Sequence, residues 1–168
     1  MLSEKLLLDN KNIKQFSLIY LKNNDQLLFL ERKVTKGIVK AGQLLGLGGK
    51  IEVGEDLFLS AKREFKEESG LSLENLFFKG NFVLVQKNSD AIGMIYLFVA
   101  TEYSGELITS NREGELVWYD IKDLENLNNL AEHQKLFLEK ILEEESSIYS
   151  GIGVYDDAQL ISYSESSI

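Results

Sequence analysis

The sequence predicts a mixed α/β fold in which helices cover a β-sheet. Three observations carry that expectation. Two apolar runs flank the polar tetrapeptide Lys22-Asn23-Asn24-Asp25, which is the pattern of a hairpin. A glycine-rich stretch leads into a capped amphipathic helix ending at Gly70. Extended apolar segments then recur through the second half, ahead of an acidic helical one.

Residues 14–31 (KQFSLIYLKNNDQLLFLE) place strands near 15–21 and 26–31. Residues 32–48, rich in glycine and lysine, read as a loop that a ligand could order. Asp56 is the N-cap of the helix that follows, Leu57, Ala61 and Phe65 form its apolar stripe, and Gly70 is its stop. Residues 76–87 and 92–102 read as longer strands and 115–121 as a short one. The segment 132–145 reads as a helix, with Leu136, Phe137 and Ile141 apolar and a solvated acidic end. GVYDDAQLISYS is a last extended piece, turning at Asp156-Asp157. Neither a repeat nor a linker divides the chain, so residues 1–168 are expected to form one domain.

At 168 residues and 44% hydrophobic, the chain can bury a core. No apolar run reaches the roughly 18 residues of a membrane span, so no membrane role is expected. The opening MLSEKLLLDNKNIK has no small-residue cleavage site and does not read as a secretory signal. The absence of cysteine excludes a disulfide framework and a thiolate site, and fits a cytoplasmic protein. A net charge of -9 argues against a nucleic-acid polymer as partner. A small polyanionic substrate would have to bring cations with it. Monomer and homodimer are both open.

The chemistry centres on Glu64, Glu67 and Glu68. On a helix these positions are neighbours, so the carboxylates project together and repel by about 0.2–0.5 kcal/mol per exposed pair. Hard oxygen ligands converging in this way suit Mg2+ or Mn2+. The plain alternative is a solvated acidic face, softened by Lys62, Arg63 and Lys66. Glycines at 46, 48, 49 and 54 ahead of the helix, with Glu55 at its start, favour the first reading, because a glycine turn lets backbone approach phosphate or metal.

The stretch 49–71 resembles the signature of the Nudix hydrolases, G-x5-E-x7-R-E-U-x-E-E-x-G-U with U apolar. Gly49, Glu55, Arg63, Glu64, Phe65, Glu67, Glu68, Gly70 and Leu71 satisfy every specified position. The resemblance implies a Nudix-type α/β/α sandwich, a mixed β-sheet between helices, carrying a metal-binding loop–helix–loop. It implies Gly49, Glu64, Glu67 and Glu68 as metal ligands, and Glu64, Glu67 and Arg63 as the catalytic set, with either glutamate as the base. Glu55 and Arg63 would form a supporting ion pair, or only a surface salt bridge. Glu113, a loop acid ahead of Trp118 with Glu115 two residues on, is the further metal ligand expected outside the signature, a plain solvent-exposed loop acid being the alternative.

GLGGK, the run ATEYSGEL…REGELVWYDIKDLENL and the ending GVYDDAQLISYS also resemble the MutT-like 8-oxo-dGTP diphosphatases. That group cleaves oxidised purine nucleoside triphosphates to monophosphate and pyrophosphate. It commonly carries Trp-Asn-Gly where this chain reads Leu44-Leu45-Gly46, so an amide able to bond a purine is lost. Leu130 stands where a Trp is expected, with Glu132 and His133 near two acidic positions. Leu45, Leu130, Glu132 and His133 are therefore the expected substrate-binding residues, with Lys50 on the phosphates. A capping or surface role is the alternative for His133.

The expected activity is thus Mg2+-dependent cleavage of a nucleoside triphosphate. The alternatives are hydrolysis of ADP-ribose, another sugar nucleotide or a dinucleotide, or nucleotide binding without turnover. A structural divalent-ion domain would leave Glu55 and the glycines unexplained.

Overall fold

Asn24, at a φ of 53°, turns the chain between β1 (Asn12–Asn23) and β2 (Gln26–Arg32), as the polar tetrapeptide predicts. The structure, a computed structural model, describes residues 12–36, 38–143 and 147–168. The expectation for the opening residues lies outside these, as does the acidic end of the segment 132–145 at 144–145.

β1 and β2 part soon after the turn. β1 then pairs in parallel with β6 (Ala91–Ala100) over the whole length from Asn12↔Ala91 to Leu21↔Ala100. β6 pairs antiparallel with β5 (Phe77–Gln86), and β5 in parallel with β9 (Tyr149–Asp156), which turns into β10 (Gln159–Ser167). On the other side β2 pairs with β3 (Leu44–Leu45) and with β8 (Gly114–Asp120). The result is one mixed sheet in the order β10-β9-β5-β6-β1-β2-β3, with β8 joined to β2. β4 (Ser72–Leu73) and β7 (Tyr103–Ser104) form a separate small pair. The expected final extended piece is thus a hairpin, its turn at Asp157 with a φ of 51°.

Alternation along the strands gives each face its own core. Ile19, Leu21, Leu28 and Leu30 point to one side, where Ala61 and Phe65 of helix α1 (Leu57–Ser69) cover them. Asp56 caps α1 by accepting from the Phe58 and Leu59 amides at 2.8 and 3.0 Å. Gly70, at a φ of 78°, ends the helix in the left-handed conformation. Phe65 is fully buried, and truncating it to alanine would cost about 3–5 kcal/mol.

Leu18, Tyr20, Leu27 and Phe29 point to the opposite side, toward Leu130, Phe137 and Ile141. The single helix expected at 132–145 is instead a 3-10 turn, Glu132–Leu136, followed by the short helix α2, Leu138–Leu142. The break falls at Phe137, with a φ of -129°, whose N–H bonds Gln134 O rather than continuing an α-helical ladder. The preceding backbone is fixed from outside: Leu44 donates to Asn129 O and Ala131 to Leu44 O. No helix among the described residues is long and apolar enough to cross a membrane.

Candidate functional site

The stretch Leu47–Ile51 runs beside β1 as an irregular strand, and this places the glycine turn. Ile19 and Leu47 exchange backbone bonds, Ser17 donates to Gly49 O at 2.9 Å, and Ile51 donates to Gln15 O. Gly48 needs to be glycine twice over. Its φ is 146°, and a Cβ there would stand 2.1 Å from Ser17 O. Gly49 is needed for a different reason, since a Cβ on it would lie 2.3 Å from Glu64 Oε2.

α1 thereby lays two of its three carboxylates against the glycine turn. Glu64 packs on Gly49, and Glu68 Oε2 accepts from the Gly48 N–H at 2.8 Å. Glu67 projects outward and is 61% exposed. The three therefore share a helix face without being gathered, and among the described residues no group of three or more His, Asp or Glu is assembled tightly around one point. The Gly49 carbonyl already accepts one hydrogen bond and keeps a second lone pair.

Arg63 organises the outer edge. Its Nε and Nη2 clasp Glu55 Oε1 and Oε2 at 2.6 and 2.8 Å, and Nη1 reaches Glu64 Oε1 at 2.7 Å and Glu67 Oε2 at 3.5 Å. Bonding to the guanidinium holds the Glu55 carboxyl down at about 2. Arg63 Nη2 also donates to the carbonyl of Lys50, whose side chain is exposed.

Glu68 stands in the opposite situation. Burial, with Glu113 and Glu64 nearby, pushes its carboxyl up to about 8, against the opposing pull of the Gly48 N–H and Arg32. A half-buried carboxylate with like charges beside it and one hydrogen bond is a poor anion alone and a good ligand for a cation.

Glu113 lies just ahead of β8 and pairs with Arg32 Nη1 at 3.0 Å and Lys36 Nζ at 3.9 Å. Asn111 sets its loop. The Asn111 Oδ1 accepts from the Glu113 and Gly114 amides at 2.7 and 3.1 Å, and its Nδ2 donates to Glu68 O at 2.9 Å. Neither Arg32 nor Asn111 stands out in the sequence. Their one signal is the pairing of β8 with β2, which sets Arg32 opposite Gly114.

The expected substrate-binding residues separate. Leu130 joins Leu44 in the core facing α2, and also walls a cavity of about 330 Å3 with Leu124, Leu127 and Leu138. Leu45 packs on the other side, in the core beneath α1. Glu132 is exposed and pairs with Lys135 at 2.8 Å. His133 is neither a cap nor a surface residue. It is buried between Phe82 and Phe137, and burial drives its pKa down to about 4, so the imidazole is neutral near pH 7.

Comparison with known proteins gives the arrangement a family. Over 110 residues the chain is 34% identical to the Nudix hydrolase YvcI of Bacillus subtilis, a match covering 64% of this chain and 66% of that protein. Over 81 residues it is 36% identical to the oxidized purine nucleoside triphosphate hydrolase of Danio rerio, covering 48% of this chain and 51% of that one. The chain thus spans less than two thirds of the length of these curated relatives. Among solved structures, the MutT protein of Bacillus halodurans superimposes with a TM-score of 0.79 at 27% identity, covering 90% of this chain and 97% of that one. The model of the NUDIX domain matches residues 12–141, and with the glycine turn, the Arg63 clasp and the Glu64–Glu68 face in place, the chain belongs to the Nudix family.

Proposed function

We propose that the protein is a pyrophosphohydrolase dependent on Mg2+, with Mn2+ as substitute, that cleaves a nucleoside triphosphate to monophosphate and pyrophosphate. The observation carrying this reading is the pair of carboxylates, Glu64 and Glu68, laid against the Gly48–Gly49 backbone with Glu113 beside Glu68. The likeness to hydrolases of oxidised purine nucleotides supports an oxidised purine such as 8-oxo-dGTP as the substrate. The acidic chain, at -9, supports a small nucleotide rather than a polymer.

All-oxygen donors suit a hard divalent ion, and Glu64, Glu67, Glu68, Glu113 and the Gly49 carbonyl are the groups that would draw in around it. Such an ion would offset phosphate charge and acidify a bound water. The chain supplies the rest. Glu67 is the most exposed of these acids and meets Arg63 only at 3.5 Å, which supports its carboxylate as the group that takes the proton of the attacking water. The water oxygen bonds phosphorus as the anhydride P–O bond breaks. Arg63, locked on Glu55, holds Glu64 in place at 2.7 Å, and Lys50 is exposed beside the turn to meet phosphate.

The test is release of pyrophosphate or phosphate with Mg2+ across dGTP, 8-oxo-dGTP, the other nucleoside triphosphates, ADP-ribose and a diadenosine polyphosphate. Preference for 8-oxo-dGTP is the expected result. Preference for ADP-ribose would replace the substrate, and turnover surviving Glu67→Gln and Glu68→Gln together would end the assignment of the site.

A further inference from the structure

The sheet ends on one side in a strand with an open outer edge. Among the described residues β10 pairs with β9 alone, and nearly all of its residues are exposed. The opposite end of the sheet is closed. There β3 is two residues long, and Leu44 is tied to Asn129 and Ala131 by backbone bonds. Proteins blunt exposed edges with brevity, proline, lysine or bulges, because a free edge is a template for another strand. β10 contains neither proline nor lysine. Its bulge, between Leu160 and Ser162, leaves Ser162–Ser167 in regular register, and its single charge, Glu165, is tied to Lys140.

The backbone decides which residues look outward. Ile148 and Ile168 exchange both of their hydrogen bonds, and such pairs alternate along an antiparallel ladder. Ser162, Ser164 and Ser166 therefore turn their N–H and C=O groups to β9, while Tyr163, Glu165 and Ser167 turn theirs away from the sheet. Side chains alternate too. Tyr163 and Glu165 lie on the side of α2, where Tyr163 Oη approaches Leu136 O at 3.3 Å and Glu165 meets Lys140. Ser164 is exposed on the other side.

We propose that β10 pairs antiparallel with β10 of a second copy of this chain, about a two-fold axis at Ser164, so that two sheets become one. Outward-facing residues exchange bonds only with outward-facing ones, so a symmetric axis must fall on a residue. At Ser164 it sets Tyr163 opposite Glu165 of the partner subunit and Ser162 opposite Ser166 of the partner subunit. It also brings Ile161 within side-chain reach of Ile168 of the partner subunit; these two are 53% and 91% exposed in a single copy. No like charges face each other. With the axis at Glu165, that carboxylate would face its own copy, which is unfavourable. With the axis at Tyr163, the bulged Ile161 would have to carry bonded pairs. The self-complementary register makes the contact isologous and closed at two copies. β9, β5 and β6 separate this edge from β1 and the glycine turn, so the pairing does not rest on the hydrolase reading.

The chain has no cysteine, so a single introduced one reports on the axis without background. Directly opposed residues of a non-hydrogen-bonded antiparallel pair stand about 4.5 Å apart at Cα, within the range of a disulfide. Ser164→Cys, oxidised with copper phenanthroline, is expected to run at twice the monomer mass on a non-reducing gel. Ser162→Cys is equally exposed on the same side of the strand, but its own copy would lie roughly 13 Å further along. It is expected to stay at the monomer mass. Sedimentation equilibrium of the wild type, from about 1 μM to about 1 mM, is expected to show a reversible monomer–dimer equilibrium. A wild type that stays monomeric throughout would overturn the proposal. So would cysteine variants that link equally well, or a dimer that Ser164→Cys fails to lock, since either means another interface.

Discussion

The Glu64 carboxylate occupies the space in which a side chain at Gly49 would begin, with Oε2 2.3 Å from that Cβ position. The end of a flexible glutamate can move aside where backbone cannot. Gly49→Ala is therefore expected to melt near the wild type but to lose at least tenfold in turnover, since Glu64 must leave the turn. Gly48→Ala meets Ser17 O at 2.1 Å from a φ of 146° and is expected to destabilise severely. Paired melting curves and initial rates check both.

The half-buried Glu68 is a liability until a cation meets it. Mg2+ is expected to raise the melting temperature of the wild type. In Glu68→Gln the rise should shrink or vanish while the metal-free protein melts no lower, because a neutral amide replaces a destabilised carboxylate. Melting scans with and without Mg2+ decide it; a metal response unchanged in Glu68→Gln would remove this residue from the ligand set.

Asn111 spends both ends of its amide on joining the Glu113 loop to the end of α1. Asn111→Ala strands three backbone groups and is expected to cost about 1–3 kcal/mol, with reduced turnover as Glu113 is released. Denaturant titration alongside initial rates checks this.

His133 makes stability depend on acid. Its folded pKa, about 4, lies below the unfolded value near 6.5. Between those values the unfolded chain binds the extra proton, so this contribution is intact above about 6.5 and is lost as pH falls toward 4. The full loss is roughly 3 kcal/mol. Glu68, raised to about 8, has the opposite slope over part of the same window, so the informative quantity is wild type minus His133→Leu, in which Glu68 cancels. That difference should shrink by a few kcal/mol between pH 7 and pH 4.5; a flat difference would mean His133 is not held neutral by burial.

The local parts of this architecture were legible in the sequence. The Lys22–Asp25 turn, the Asp56 and Gly70 ends of α1, and the glycines beside Glu64 and Glu68 depend on near neighbours. What escaped depends on distant ones. Arg32 and Asn111 gain meaning only when β8 joins β2, and Leu45 turns from its expected pocket because its strand pairing sets Leu44, not Leu45, on the face of Leu130. The helical pattern at 132–136 yields to a 3-10 turn whose leading flank is pinned by Leu44 and whose middle residue, Gln134, is bonded by Gly46, some ninety residues earlier.

That pinning has a temporal consequence. Gly46 waits for Gln134, 88 residues on, and Leu44 for Asn129 and Ala131, while β5 gains its outer neighbour only with β9. A ribosome making about 5–20 residues each second therefore displays the whole glycine turn and α1 several seconds before the strands and turn that seat them. The nascent chain should be inert and vulnerable to proteases until its last quarter emerges, and truncation before Gln134 should leave a protein that carries every signature residue and no working site.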